Sequence, residues 1–343
     1  MGNRYVEMGL CAPVNVTWEV TYACNLACIH CLSDSGKKRA AELSTQQCRR
    51  IIDDLSAMKV FQFNIGGGEP VLRPDFLDLM DYAHDKGMVT CISTNGTLID
   101  RDIARRLDHR LVYIQVSLDG ATPASNDPIR GRGSFHKVLH ALECLRERDI
   151  EVSVNTVLTR LSFPELDRMA ALATAYGAKL RVSRFRPSGR GKRSWSQLNV
   201  SADQMLAFSD WLGRHLGVST GDSFFSVSTE ARRSLGLNMC GACKLTCCIS
   251  PEGGVYPCAF LQEADFKAGT LPRDPFDAIW RHAPVFQSFR ALEIKSCEAC
   301  HRFDLCHGGC PAIAYHTQRK LGVADPGCLE NCVRVKVPAA VTA

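Results

Sequence analysis

The chain has 343 residues, a formal net charge of +5 and 45% hydrophobic residues, enough for one full α/β domain and a smaller second module. No apolar run reaches the length of about 18 residues that a membrane span needs, and residues 1–13 lack the apolar core of a signal peptide, so a cytoplasmic protein without membrane contact is expected. Part of the positive charge sits in Arg181, Arg184, Arg186, Arg190, Lys192 and Arg193; this stretch reads as a solvated basic loop or as a patch for an anionic ligand or acidic peptide, and without interleaved aromatics it does not predict nucleic-acid binding.

From residue 14 to about 216, strand-like and helix-like runs alternate. Predicted strands cover 16–20, 61–65, 89–93, 112–118, 152–158 and 179–185. Each is short, apolar and rich in β-branched residues, as parallel strands buried on both faces are. Predicted helices cover 44–59, 74–86, 100–107, 134–148, 162–176 and 201–215. Ser44, Asp100, Ser134 and Ser201 stand at N-cap positions, and Gly87 and Gly177 where a helix would stop. Six βα units with right-handed crossovers are too few for a closed eight-stranded barrel, so the expected fold is α/β: a partial (β/α)6 TIM-like barrel with an open side. Residues 1–13 form a lead-in, 217–237 a bridging region, 238–332 a cysteine-rich module and 333–343 a tail. The module has too little core to fold without metal staples.

Cysteine is the outlier. Of 18 cysteines, three fall between Cys24 and Cys31 and eleven between Cys240 and Cys332. A reduced compartment disfavours disulfides, so clustered thiols point to metal. Cys24, Cys28 and Cys31 directly follow the first strand, at the end of a βα domain where ligands bind. A four-iron cluster takes four ligands, so three thiolates leave one iron open to a substrate. A structural zinc site with a distant fourth ligand is the plainer alternative.

The Cys-x3-Cys-x2-Cys spacing resembles the signature of the radical S-adenosylmethionine (SAM) superfamily. The resemblance implies that SAM chelates the open iron through its amino and carboxylate groups. It makes Cys24, Cys28 and Cys31 the catalytic cluster's ligands, with His30 packing against the cluster. Gly66, Gly67, Gly68 and Glu69 end the second strand and look like the family's Gly-Gly-Glu motif, whose backbone and carboxylate contact the SAM amino group. Ser93 and Asn95 end the third strand, and Ser117 and Asp119 the fourth, where a ribose and methionyl tail would lie. Arg130 resembles the arginine that pairs with the SAM carboxylate. Asn155 and Val157 would lie near ribose and adenine, and Pro187 and Gly189 near the nucleoside.

Farther on, Cys297, Cys300, Cys306 and Cys310 form a Cys-x2-Cys-x5-Cys-x3-Cys run, with Cys328 downstream and Cys258 in a turn upstream. This resembles the SPASM extension of peptide-modifying radical SAM enzymes, which holds two auxiliary iron–sulfur clusters; a pair of zinc knuckles is the alternative. By the family's crossover, the second auxiliary cluster takes Cys297, Cys300, Cys306 and Cys328. The first takes Cys240, Cys258, Cys310 and either Cys243, which has the common spacing to Gly253, or Cys247, which is preferred because it faces Cys258 across a predicted hairpin. Cys248 and Cys332 are surplus. Three 4Fe–4S clusters and SAM are therefore expected.

Sulfatase-maturing relatives carry an Asp where this chain has Ala259, which weakens that reading. Stretches such as Leu43-Ser-Thr-Gln46, Arg186-Pro-Ser-Gly-Arg-Gly191, Thr220-Gly-Asp-Ser-Phe-Phe225 and Leu237-Asn-Met-Cys-Gly241 look like the mycofactocin radical SAM maturases. That resemblance implies oxidative decarboxylation of a C-terminal tyrosine on a small precursor peptide, then carbon–carbon bond formation to the preceding valine. It also implies a separate peptide-binding recognition protein and an electron donor such as flavodoxin or ferredoxin. Alternatives are another SPASM maturase that forms thioether or other crosslinks, and a non-catalytic iron–sulfur or zinc scaffold. Asp222 is a candidate substrate contact or a cap.

Overall fold

The computed structural model describes residues 10–107, 112–221, 240–301 and 303–330. Asp222, Cys332, the 333–343 tail and most of the lead-in and bridging region lie outside them. Six strands, β1 (Asn15–Glu19), β2 (Gln62–Gly66), β3 (Val89–Thr94), β4 (Val112–Ser117), β5 (Glu151–Leu158) and β6 (Lys179–Arg184), pair in parallel and in sequence order. Right-handed crossovers between successive neighbours put every helix on one side, so the sheet curls into part of a barrel instead of remaining a doubly wound layer.

Between the strands run α1 (Thr45–Ala57), α2 (Phe76–Asp85), α3 (Arg101–Arg106), α4 (Pro123–Arg130), α5 (Ser134–Arg146), α6 (Leu166–Ala175), α7 (Gly191–Leu198) and α8 (Ala202–Arg214). Ser44 and Ser201 close capping boxes with Gln47 and Gln204, and Asp100 accepts from the Ile103 N–H; caps of this kind contribute about 1 kcal/mol each. Gly87 and Gly177 take left-handed φ values of +75° and +68°, where a Cβ would be strained. Ser134 is not a cap: Gly133 holds that position, and Asp127 accepts from the Gly133 and Phe135 N–H groups instead. Asp127 comes from α4, which sequence periodicity does not reveal because Pro123 and Pro128 interrupt its pattern.

The expectation of strands buried in apolar surroundings on both faces is corrected. One face of each strand packs on the helices: Val16, Trp18, Phe63, Ile65, Ile92, Ile114, Val116, Val152, Val154, Leu180 and Val182 belong to the core. The alternate residues line the inner face and are polar: Thr17, Glu19, Gln62, Asn64, Ser93, Gln115, Ser117, Ser153, Asn155, Arg181 and Ser183. Neighbours on that face bond across strands, Gln62 Nε2 to Cys91 Sγ at 2.8 Å, Ser93 Oγ to Asn64 Oδ1 at 3.2 Å and Ser183 Oγ to Asn155 Oδ1 at 2.7 Å. A concave face this polar is a chamber for a ligand, not packing interior.

The sheet continues past the sixth unit. β7 (Thr246–Ile249) pairs in parallel with the far edge of β1, then turns back antiparallel through β8 (Gly254–Tyr256) to β9 (Gly269–Thr270). Four short helices follow: α9 (Phe276–His282), α10 (Pro284–Arg290), α11 (Phe303–Cys306) and α12 (Pro311–Gln318). Among the described residues, no helix is long and apolar enough to cross a membrane.

Candidate active site

The loop after β1 carries Cys24, Cys28 and Cys31, and three neighbouring strand ends hold it in place. Gly68 N–H donates to Thr21 O at 2.8 Å and Glu69 N–H to Ala23 O at 2.7 Å. A Cβ on Gly68 would lie 2.2 Å from Ala23 O, so the two loops meet backbone to backbone and only glycine fits. Glu69 is fully buried; it accepts from Thr94 Oγ1 and from the Asn95 N–H, each at 2.7 Å. Burial raises its pKa to about 7. The side chain also braces the ends of β2 and β3, beside the backbone of the glycine turn.

Donors converge on the thiol sulfurs. Leu26 N–H and Asn95 Nδ2 stand 3.5 and 3.9 Å from Cys24 Sγ, and Ser33 Oγ lies 3.8 Å from Cys31 Sγ. Asn95 also bonds Asn25 Oδ1 at 2.9 Å, so the end of β3 touches the cysteine loop directly. Burial pushes the Cys24 thiol up to about 11. A thiolate at this position needs positive charge beside it, and iron supplies that. The donor set thus fits three ligands of an iron–sulfur cluster.

Asp119 lies at the centre of the rim. It is fully buried, 2.6 Å from both Arg130 Nε and His30 Nε2, and accepts the Val157 N–H at 2.7 Å. Arg130 and His30 outweigh its desolvation and hold its pKa down at about 2. His30 is therefore a hydrogen-bond partner of Asp119 as well as a packing group. Ser93, Ser117, Asn155 and Val157 occupy the strand ends around this cluster of charges. Gly189, at φ +49°, lets its backbone come so close to the cysteine loop that a Cβ would meet Leu32 O at 2.3 Å.

Sequence reasoning did not identify the clamp on the outer side of the loop. Arg190 donates to Cys28 O (3.1 Å), Ser35 O (2.7 Å) and Asp34 Oδ1 (2.8 Å), Gly191 N–H to Cys31 O, and Ser194 Oγ to Ile29 O. The basic stretch is thus neither a solvated loop nor one anion patch. Arg184 pairs with Asp325, Lys192 with Glu263, and Arg193 with Asp34. Arg186 lies over the Phe260 ring, its Nε 3.5 Å from Cys310 Sγ.

In the C-terminal module, seven cysteines fall into two sets of electrostatic neighbours. Cys306 has Cys328, Cys297 and Cys300 as its charged neighbours, and burial pushes its thiol up to about 11. Cys258, pushed up to about 12 by burial, has Cys240 and Cys310 beside it. Cys310 has left the three cysteines that precede it in sequence to join the β7–β8 hairpin. Cys243 sits in the turn before β7 with φ +61°, within electrostatic reach of Cys258 and Cys240. Cys247 does not face Cys258: the ladder pairs Cys248 with Tyr256, which brings Cys258 level with Thr246. Cys247 points into the helix-packed core with Ile249, a core to which Cys243 also belongs, and Cys248 lies on the inner face near Glu19, Gln262 and Cys258.

Residues 18–173 match the radical SAM superfamily and residues 240–306 the SPASM iron-sulfur cluster-binding domain. The mycofactocin maturase MftC of Mycobacterium ulcerans is 46% identical over 332 residues, 95% of this chain and 90% of that protein. Among solved structures, Streptococcus suis SuiB bound to its precursor peptide SuiA superposes with a TM-score of 0.76 at 18% identity, over 94% of this chain and 77% of SuiB. The AdoMet-bound anSMEcpe gives 0.74 at 19% identity, over 93% of this chain and 94% of that one. At such identities these two establish the fold alone.

Proposed function

Because this chain belongs to the radical SAM enzymes with a SPASM domain, as the mycofactocin maturases do, we propose that it matures a ribosomally made precursor peptide by oxidatively decarboxylating its C-terminal tyrosine and then joining that end to the preceding valine. The observation that carries this reading is the near-full-length similarity to a mycofactocin maturase, together with a cysteine loop whose sulfurs, donors and clamp fit an open-iron cluster.

Cys24, Cys28 and Cys31 would hold the cluster at which SAM binds, and bound there SAM would supply radical chemistry for removing a hydrogen atom from the tyrosine Cβ. The chain's own groups do the rest. The Gly66–Gly68 turn offers backbone to the SAM amino group, and the Arg130–Asp119–His30 network presents positive charge for its carboxylate. Ser93, Ser117 and Asn155 offer hydroxyl and amide partners to the nucleoside. The core packed behind the strands keeps these groups from moving.

Three clusters serve this chemistry in our reading. Cys24, Cys28 and Cys31 hold the first. Cys240, Cys258 and Cys310, with Cys243 in preference to Cys247, hold the second, and Cys297, Cys300, Cys306 and Cys328 the third. The auxiliary pair takes up the electron released with carbon dioxide. A small recognition protein presents the peptide, and a flavodoxin or ferredoxin reduces the first cluster.

The test is anaerobic reconstitution with SAM, reductant, a precursor peptide ending in Val-Tyr and its recognition protein, read by mass spectrometry. Loss of carbon dioxide and two hydrogens is expected. An unchanged peptide alongside active SAM cleavage would discard the reading.

A further inference from the structure

Among the basic residues of 181–193, Arg181 stands apart. It lies on the inner face of β6, in register with Asn155, between the core residues Leu180 and Val182. Its Nε is buried and has no hydrogen-bond partner. The backbone at Gly221 crosses so close that a Cβ there would meet Nη2 at 2.1 Å. Among the described residues, the charged or ionisable groups that act on it are Tyr113 and Arg186, neither of them a carboxylate, and burial pushes its pKa below the usual guanidinium range. Arg181 is thus half-buried with its Nε enclosed, and among the described residues no carboxylate faces it, a setting in which a ligand can supply the missing charge.

We propose that Arg181 binds the free C-terminal carboxylate of the peptide substrate inside the barrel. This rests on the peptide-maturase reading and adds to it a recognition rule: the substrate must end in the reacting residue. One bond separates the carboxylate-bearing Cα from Cβ, so fixing the carboxylate fixes the carbon that loses hydrogen. The inner-face position suits this, since Arg181 is level with Asn155 and, through β5, with Ser117 at the end of β4. The anchor is also self-releasing. After hydrogen is taken from Cβ, the Cα–carboxylate bond breaks, carbon dioxide and one electron depart, and a Cα–Cβ double bond remains. The product no longer carries the anion that held it, so its end is free to reseat against the valine for the second turnover.

The experiment measures binding of a synthetic precursor peptide ending in Val-Tyr, as free acid and as C-terminal amide, to the cluster-loaded enzyme with SAM but no reductant. Wild type should bind the acid roughly 10- to 100-fold more tightly than the amide, the range expected of a charge-assisted contact. Arg181→Gln should bind both forms at the level of the amide, and Arg181→Lys should keep part of the preference. Cluster absorbance equal to wild type establishes that Arg181→Gln is folded. Equal binding of acid and amide by wild type, or an undiminished preference in Arg181→Gln, overturns the assignment. If neither form binds even with the recognition protein present, the peptide-maturase reading itself fails.

Discussion

Arg184 and Asp325, 141 residues apart, form a fully buried two-pronged ion pair, Nη1–Oδ1 at 3.2 Å and Nη2–Oδ2 at 2.5 Å. Asp325 also accepts the Cys310 N–H at 3.0 Å and the Gly327 N–H at 2.8 Å, and its carbonyl accepts the Cys328 N–H. The carboxylate therefore ties the end of β6 to Cys310, while the main chain of the same residue holds Cys328. Asp325→Asn removes the carboxylate that Arg184 pairs with, and breaking a buried pair in this way costs about 3–5 kcal/mol. We expect a lower melting temperature and less iron at the auxiliary position that Cys310 serves, with the first cluster retained. Iron and sulfide analysis with electron paramagnetic resonance checks this; full auxiliary signals in the variant would contradict it.

Arg190 holds three groups of the catalytic cysteine loop at once. Arg190→Ala should make the N-terminal cluster labile, lowering its occupancy and SAM cleavage together. Arg190→Lys should rescue little, because an ammonium cannot reproduce the planar fork that reaches Cys28 O, Ser35 O and Asp34. Cluster content by Mössbauer spectroscopy is the readout, and wild-type occupancy in the alanine variant would remove the clamp from the account.

Cys243, Cys247 and Cys248 can be separated by single alanine variants. Cys243→Ala should lose the iron of one auxiliary cluster. Cys247→Ala and Cys248→Ala should keep all of it, the former with a modest loss of stability from a small core cavity. Retention of full iron by Cys243→Ala, with loss in Cys247→Ala, would reverse the choice.

Glu19 sits on the inner face, buried, with Oε2 unpartnered and Gln262, Arg39, Tyr22 and Cys248 as the polar groups facing it. Burial raises its pKa from 4.5 to about 7. The folded protein therefore binds a proton here that the unfolded chain releases between these values, and stability falls as pH rises through 7. Glu19→Gln should match wild type near pH 5 and exceed it at pH 8 by on the order of 3 kcal/mol, from the same shift. Anaerobic calorimetry at the two pH values tests this; an identical pH slope in both proteins would refute it.

The alternation of six strands and helices, the three-cysteine loop and the Gly66–Glu69 turn were legible because each is a local pattern. Periodicity places Val16 and Trp18 on a strand, and spacing makes Cys24, Cys28 and Cys31 a ligand set. The polar inner face was less visible: Asn64, Ser117 and Asn155 are scattered through runs that read as apolar, and only strand register shows that they share a side. The helix at Pro123–Arg130 was hidden by its prolines, and the pairing of β7 with β1 is a contact between segments more than 200 residues apart that no local pattern encodes.

What the chain determined by itself was the chemistry available: three clustered thiols, a glycine turn, and a second cysteine module on an α/β scaffold. Only the tertiary structure decided what each charged or sulfur-bearing side chain does with it. It turned Glu69 inward as a brace, parted Cys310 from Cys306, sent Cys247 to the core, and left Arg181 with no carboxylate facing it among the described residues. The reason is physical. Hydrogen-bond and charge partners lie tens to more than a hundred residues away, so the cost of burying each group is met by contacts that no local spacing encodes.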